Sequence, residues 1–219
     1  MTGPKLAVPP GRAGRLWLER RLRVARRGAD LLDRKLRILQ AELDQRSAAA
    51  AQTQQEWDRC CADAERLLLR AALLGGQRAI RIAADTGVAD VCISYAVTAG
   101  LRHPVSGTCA IPEPDTWAAF AVAQARSAHR AALEAAVAHA AAAAALRLID
   151  AETAVTRYRL RAVRDRWIPR LEQARAEVIF AIDELERADN ARLSRAAGVI
   201  GPHSPRTFGP PQRGADLLQ

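Results

Sequence analysis

The stretch that decides the fold is GRLWLERRLRVARRGADLLDRKLRIL, residues 14–39, which mixes nine Lys and Arg residues with regularly spaced apolar ones. The apolar residues recur at alternating intervals of four and three, and the alternation continues to Leu74, interrupted only by Arg46 and Thr53. A sustained 3.5-residue period is typical of the seam of a left-handed coiled coil. We call this line the N-terminal seam; it consists of Leu18, Leu22, Ala25, Ala29, Leu32, Leu36, Leu39, Leu43, Arg46, Ala50, Thr53, Trp57, Cys60, Ala64, Leu67, Ala71 and Leu74.

The seam predicts one helix over residues 16–74, ended by the glycine pair at 75–76. At a rise of 1.5 Å per residue such a helix is about 90 Å long, which is more than a single globular core covers. It therefore requires an equally long partner helix.

A second helix is predicted over residues 116–197, with Asp115 or Thr116 as its N-cap. Its C-terminal seam has a step of four where three is due, next to Pro169, and we expect a bend near 165–169. The C-terminal seam consists of Leu146, Ile149, Thr153, Thr156, Leu160, Val163, Trp167, Leu171, Ala174, Val178, Ala181, Leu185 and Ala188.

The middle segment, residues 75–115, contains the β-branched residues that the helices lack, and residues 88–100 and 103–112 predict a short β-hairpin packed on the helices. Residues 1–15 and 198–219 are rich in Pro and Gly and predict flexible tails. The predicted fold is thus dominated by α-helix. The N- and C-terminal helices form a long antiparallel two-helix coiled coil, a rod with both termini at one end.

The sequence contains no phosphate-binding glycine loop, no HExxH zinc motif and no GxSxG nucleophile motif. Its four histidines are predicted to face solvent or to lie in the hairpin, and its four cysteines have neither metal nor disulfide spacing. We therefore predict no catalytic residue, no cofactor and no metal. No apolar run reaches the length of a membrane span and no signal peptide is evident, so the protein is expected to be cytoplasmic.

The net charge of +9 points to an anionic partner. Residues 11–37 hold ten Lys or Arg against three acids, and residues 157–175 hold seven Arg against two. A solvated face, nucleic acid and an acidic protein surface all remain open as explanations. Nucleic acid is disfavoured because the basic helix has only Trp17 for stacking. Gly28 costs about 1 kcal/mol in a helix relative to alanine and, beside Ala25 and Ala29, marks a thin place where a partner approaches the backbone.

Two segments resemble the D subunit of the V-type and archaeal A-type rotary ATPases. The first, residues 10–35, carries Pro-x-Arg, Leu-x-Arg-Arg-Leu and Arg-Gly-x-x-Leu-Leu-x-x-Lys elements; the second, residues 159–195, carries Ile-Pro-x-Leu and Glu-Arg elements. The chain departs from the family pattern at Ala29, where histidine is common, and at Arg161, where asparagine is common. The matching positions are Pro10, Arg12, Leu18, Arg20, Arg21, Leu22, Val24, Ala25, Arg27, Gly28, Leu31, Leu32, Lys35, Arg159, Ala162, Val163, Ile168, Pro169, Leu171, Glu186, Arg187, Arg192 and Leu193.

The resemblance implies a rotor axle without a catalytic site, which couples ATP turnover in a hexamer of nucleotide-binding subunits to proton or sodium movement. It also implies a small central-stalk partner, an adaptor subunit on the membrane rotor, and a peripheral position at the membrane without insertion into it. Gly28 and Pro169 are expected to be structural. The residues expected to contact the hexamer are Arg20, Arg21, Arg26, Arg27, Arg187, Arg192 and Arg195.

Two other functions stay open at this stage. A coiled-coil adaptor or stalk of an export ATPase is built on the same plan, and its partners would differ. A basic coiled coil that binds nucleic acid would show a steep salt dependence of duplex binding.

Overall fold

The computed structural model describes residues 6–84, 87–113 and 118–199, with side chains described up to residue 196. Two long helical regions flank a two-stranded antiparallel hairpin, which confirms the predicted fold class. The elements are α1 (Gly11–Ile82), β1 (Asp90–Thr98), β2 (Leu101–Ala110), α2 (Phe120–Arg161), a π-helical turn (Ala162–Trp167) and α3 (Ile168–Val199).

The chain divides into two compact units. The terminal unit comprises residues 1–22 and 170–219, and the middle unit comprises residues 23–169. Helices pair in an antiparallel sense inside each unit, because the partner's number falls as the residue number on α1 rises. The interhelical side-chain contacts that show this are Arg12 with Glu186 and Glu19 with Arg175 in the terminal unit, and Lys35 with Glu152 and Thr53 with His139 in the middle unit.

Burial along α1 follows the N-terminal seam. Apart from Gly14, every buried residue of this helix is a seam position: Leu18, Leu22, Ala29, Leu39, Ala50, Ala64 and Ala71. The two polar interruptions are satisfied within the helix itself. Arg46 Nε donates to Glu42 Oε1 at 2.7 Å, and Thr53 Oγ1 donates to the Ala49 carbonyl at 3.0 Å. A polar seam residue with a local partner does not expose an unpaired group to the interface.

The C-terminal seam is buried at Ile149, Thr153, Thr156, Leu160 and Leu171, partly buried at Val163 and Trp167, and exposed from Ala181 onward. Thr153 and Thr156 are each 1% exposed, and Thr153 Oγ1 donates to the Ile149 carbonyl at 2.7 Å. Small residues therefore occupy much of the contact between α1 and α2. His139 is not solvent-facing as predicted: its ring stacks on Trp57, with 5.5 Å between ring centroids.

The bounds of α1 differ from the prediction at both ends. The helix begins at Gly11 rather than residue 16, and Arg12 reaches across to Glu186 with an N–O distance of 2.9 Å. Gly76 has non-helical backbone angles (φ 71°, ψ 169°) that glycine can adopt because it lacks a Cβ, yet helical backbone resumes and continues to Ile82. Ala79, in the helical segment after Gly76, packs against a small core that consists of Ala71, Ala83 and the α2 residues Val122 and Ala125.

The start of α2 at Phe120 lies close to the predicted one, but the proposed caps at 115 and 116 fall outside the described residues, as do tail residues 200–219. At the other end of the second helical region, α3 passes through Gly198 and ends at Val199, slightly later than predicted.

An irregular turn lies where the C-terminal seam gains its extra residue. Residues 162–167 are π-helical, and the Ile168 N–H donates to the Val163 carbonyl five residues back. Pro169 follows directly; it has no N–H to donate, and its ring would crowd the carbonyl four residues earlier in a regular helix. The wider π turn relieves that crowding, which is the physical reason for an irregularity here.

The hairpin pairs Asp90 with Ala110 through Thr98 with Leu101, and it turns at Ala99 (φ 51°) and Gly100 (φ 83°). Two successive positive φ values are the signature of the type I′ turns that match strand twist. A bulge after Ser94 shifts the register, so that Tyr95 pairs with Pro104. His103, beyond the bulge, is fully buried and within 3.0 Å of the Thr98 hydroxyl.

Strand β2 packs on α2 at Gly107. A Cβ added there would lie 2.9 Å from Val137 Cγ1 and 3.0 Å from the Val137 carbonyl oxygen, closer than such atoms normally approach. Gly107 is thus a point of close approach between hairpin and helix.

We expect Gly107→Ala to lower the free energy of unfolding by about 1–3 kcal/mol, because the added methyl group forces strand and helix apart. Amide hydrogen exchange in β2 should accelerate accordingly. Ser106→Thr, which adds one methyl group at the exposed neighbouring position and keeps the hydroxyl that lies 2.7 Å from Ser94 Oγ, is the matched control and should change exchange little. Unchanged protection of β2 in the Gly107 variant would show that the strand does not depend on this contact.

Candidate partner-contact surfaces

Five of the arginines proposed from the sequence lie in the terminal unit, and all five are exposed. Three of them interact locally on α3: Arg187 with Glu184, Arg192 with Asp189 at 3.1 Å, and Arg195 Nε with the Ala191 carbonyl at 3.1 Å. The other two are Arg20 and Arg21, on α1. The guanidinium of Arg21 lies 4.6 Å from the centre of the Trp17 ring. Such arginines keep their charge available to an outside partner.

The structure does not bring these five arginines into one cluster. Glu186 on α3 is level with Arg12 on α1, whereas the α1 residues just before Arg20 face Arg175, about three helical turns away along α3. The remaining two proposed contacts, Arg26 and Arg27, are exposed residues of the middle unit. The arginines predicted from the sequence are therefore spread along the helices and do not form one patch.

Sequence reasoning missed the carboxylate that organises the terminal unit. Glu19 Oε1 lies 3.0 Å from Arg15 Nε on the same helix and 3.4 Å from Arg175 on α3. The hydrogen bond from Arg15, with a smaller contribution from Arg175, lowers the pKa of Glu19 below its ordinary value of 4.5, against the opposing effect of desolvation. An i,i+4 Arg–Glu spacing was visible in the sequence, but only the helix pairing adds Arg175.

The pH dependence of stability follows from this lowered pKa. Glu19 binds its proton less tightly in the folded chain, so its contribution is present above pH 4.5 and is lost as the pH falls through the folded pKa. We expect Glu19→Gln to have a lower melting temperature than the unsubstituted protein at pH 7, with the gap closing toward pH 3. Thermal unfolding of both proteins over this range checks it. A gap that stays constant with pH would exclude the carboxylate's charge as the cause.

A second surface lies in the middle unit around the ion pair of Lys35 and Glu152, whose Nζ and Oε1 are 2.6 Å apart. Large apolar side chains that are not seam positions lie on the same side of the helix pair and are exposed. We call this surface the lateral strip; it consists of Val24, Leu31 and Ile38 on α1 and Leu148 and Val155 on α2. Its members recur every seven residues on each helix. This second seven-residue repeat could have been found in the sequence, at positions outside the seam.

A third surface, the loop-end patch, occupies the last turns of α1 before Gly76. Leu69, Leu73 and Leu74 are 62%, 79% and 70% exposed, and Arg66 and Arg70 stand among them. The last position of the N-terminal seam, Leu74, is thus open rather than buried. Clustered large apolar residues at an exposed site are typical of contact surfaces.

Gly28 also lies open. A Cβ built there meets no other atom within 4 Å, so packing within the described chain does not require glycine at this position. The helix therefore carries a destabilising residue that its own neighbours do not need.

Among the described residues, no group of three or more His, Cys, Asp and Glu side chains is arranged to hold a metal ion. One helical segment, within Phe120–Ala196, is long and apolar enough by composition to cross a membrane. That is weak evidence for a span, because the apolar character comes largely from alanines of a helix that also packs on β2 and contacts α1 through His139.

The described residues thus form paired helices that display charged and apolar side chains on their surfaces. A family model for the D subunit of ATP synthase matches residues 16–198, and the chain belongs to that family. Membership makes it a stalk subunit of a rotary ATPase complex. No curated protein matches the chain.

Proposed function

We propose that the chain is the central-stalk axle of a V/A-type rotary ATPase or ATP synthase, and that its rotation couples ATP hydrolysis or synthesis to proton or sodium translocation. The observation that carries this proposal is the family match over residues 16–198, combined with burial that follows a seven-residue repeat along α1. The chain contributes no catalytic site of its own in this role. ATP is turned over in the nucleotide-binding hexamer.

The packing suits transmission of torque. The buried seam positions in both units are small or aliphatic residues, and the cross-helix ion pair Lys35–Glu152 fixes the register of α1 against α2. Close packing of small residues leaves little room for the helices to slide, since protein interiors are nearly incompressible. A pair locked in this way resists twisting along its length.

The exposed arginines suit contacts that change during a turn. Each exposed ion pair contributes only about 0–1 kcal/mol, so an arginine can leave one acidic loop and meet the next without a deep energy minimum. Arg20, Arg21, Arg187, Arg192 and Arg195 are proposed to face the hexamer from the terminal unit, and the two arginines at 26 and 27 do so from the middle unit.

The other end of α1 is proposed to be the docking side for the membrane rotor. The loop-end patch combines exposed leucines with Arg66 and Arg70, which fits an adaptor subunit with an apolar and acidic contact surface. The protein would then be cytoplasmic and held peripherally at the membrane by the complex, without inserting α2.

Affinity purification of the native tagged protein followed by mass spectrometry tests the proposal. We expect the two kinds of nucleotide-binding ring subunit, a small central-stalk subunit and a membrane-rotor adaptor to co-purify in one complex. Recovery of an export ATPase instead, or of the chain bound to nucleic acid without ring subunits, would overturn it.

A further inference from the structure

We infer that the lateral strip is the docking site for one amphipathic helix of a partner subunit, with acidic residues along the flank of that helix that meets Arg34. This inference rests on the proposed function, because the partner is taken to belong to the same complex. It assigns a role to apolar residues that the paired helices leave exposed.

The geometry of the strip follows from the Lys35–Glu152 ion pair. On α1, Leu31 and Ile38 lie four residues before and three residues after Lys35; on α2, Leu148 and Val155 have the same spacing around Glu152. Residues three and four apart share a helix face. Because the helices are antiparallel, Leu31 is level with Val155 and Ile38 with Leu148.

The four side chains therefore form two apolar pairs, one on each side of the Lys35–Glu152 ion pair. Their exposed fractions are 58% for Leu31, 53% for Ile38, 44% for Leu148 and 42% for Val155. Val24, 68% exposed, extends the α1 line by a further heptad. Fourteen residues of helix span about 21 Å, which corresponds to roughly four turns of a docked helix.

The same line on α2 already serves as a docking face for this chain's own hairpin. Ala141 lies seven residues before Leu148 and is covered by β2, where a Cβ on Gly107 would lie 3.4 Å from the Ala141 Cβ. The strip thus continues an interface that exists in the structure. The exposed part of the strip on α2 begins after Ala141, where the contact with the hairpin ends.

The spacing indicates that the occupant is a helix. Apolar positions repeat every seven residues on both α1 and α2, and a helix with its own 3.5-residue apolar repeat stays in register with such a groove. A β-strand, with its period of two, would match the strip at one place only.

Charge indicates the chemistry of the occupant. Arg27 and Arg34 are exposed and lie four residues before and three residues after Leu31, on the outer border of the strip. Neither guanidinium forms an ion pair within the described part of the chain. Asp33, by contrast, lies on the opposite flank of the pair and is engaged by Arg37 and Arg164. A partner helix with acidic residues that face Arg34 complements this border.

Gly28 lies on the same face, four residues after Val24 and three before Leu31. Its open side leaves a notch in the wall of the strip, where the backbone of a docked helix can come close. The notch accounts for a helix-weakening residue that internal packing does not require.

Photo-crosslinking in the assembled complex tests the inference. A benzophenone amino acid is placed at Leu31, at Ile38 or at Gln40, which is exposed on the other flank, and crosslinked peptides are identified by mass spectrometry. We expect the first two probes to reach one helical segment of one partner, about seven residues apart, and the Gln40 probe not to reach that segment. If Leu31 and Ile38 give no crosslink, or reach a second copy of this chain or an extended strand, the inference is wrong.

Gly28→Ala provides a second readout. The alanine should raise the melting temperature of the isolated chain and yet weaken retention of the crosslinked partner, with Leu31→Glu lowering retention about tenfold or more at unchanged helical content. Full retention in both variants would contradict the inference. Failure of the chain to purify with ring subunits at all would instead contradict the proposed function, so the two failures are distinguishable.

Discussion

Leu39→Ala is expected to lower the free energy of unfolding by about 2–5 kcal/mol, whereas Ile38→Ala, one residue away, should change it by no more than about 0.5 kcal/mol. Leu39 is a seam position with no exposed surface, and Ile38 is 53% exposed. Truncating Leu39 removes buried methyl groups and leaves a cavity that the two helices cannot close without shifting register. Truncating Ile38 removes surface that already contacts water.

The two variants form a matched pair because both truncate a branched aliphatic side chain in the same turn of the same helix. Urea unfolding followed by circular dichroism at 222 nm gives both free energies. Equal effects would mean that α1 is not held by its seam, and the pairing of α1 with α2 would then be incorrect. Ile38→Ala has a separate readout in partner binding, since Ile38 belongs to the lateral strip.

The largest functional effect is expected from charge reversal in the terminal unit. The double variant Arg187→Glu and Arg192→Glu should lower ATP-driven ion pumping about tenfold or more, because two contacts of up to about 1 kcal/mol each are replaced by repulsion. Reversing all seven proposed contact arginines should prevent assembly with the hexamer. Pumping in reconstituted vesicles and co-purification of ring subunits are the measurements.

The chain offers a closely matched control for this experiment. Arg59 pairs with Glu56 three residues away and Arg37 with Asp33 four residues away, much as Arg187 pairs with Glu184 and Arg192 with Asp189. Reversing Arg37 and Arg59 breaks the same kind of local pair and changes the net charge equally. If the two double variants pump alike, the terminal-unit arginines do not contact the hexamer.

The sequence predicted the helices well because the N-terminal seam is long and regular. A repeat of seven sustained from Leu18 to Ala71 restricts which face is buried, and burial in the structure follows it. The irregularity near Pro169 was also foreseeable, since proline and a broken repeat coincide there. Its form, a π-helical turn, depends on how the backbone relaxes around the ring, which spacing alone does not reveal.

The sequence predicted less about surfaces. A single sequence does not show which carboxylate joins Arg15 to Arg175, because the three residues meet only after α1 and α3 pair. The seven-residue spacing of Leu31 and Ile38 was present in the sequence, but the longer and more regular repeat of the seam drew attention away from it. The packing of Gly107 against Val137 likewise depends on where the hairpin folds back along α2.

The central claim, that this chain is a rotor axle, is tested most directly by observing rotation. The ring is immobilised through its nucleotide-binding subunits, and a gold particle is attached to exposed Cys92 of the hairpin after replacement of Cys60, Cys61 and Cys109 by alanine. We expect the particle to turn in one direction when ATP is added and to stop when ATP is removed. A particle that stays still on complexes that are hydrolysing ATP would contradict the claim.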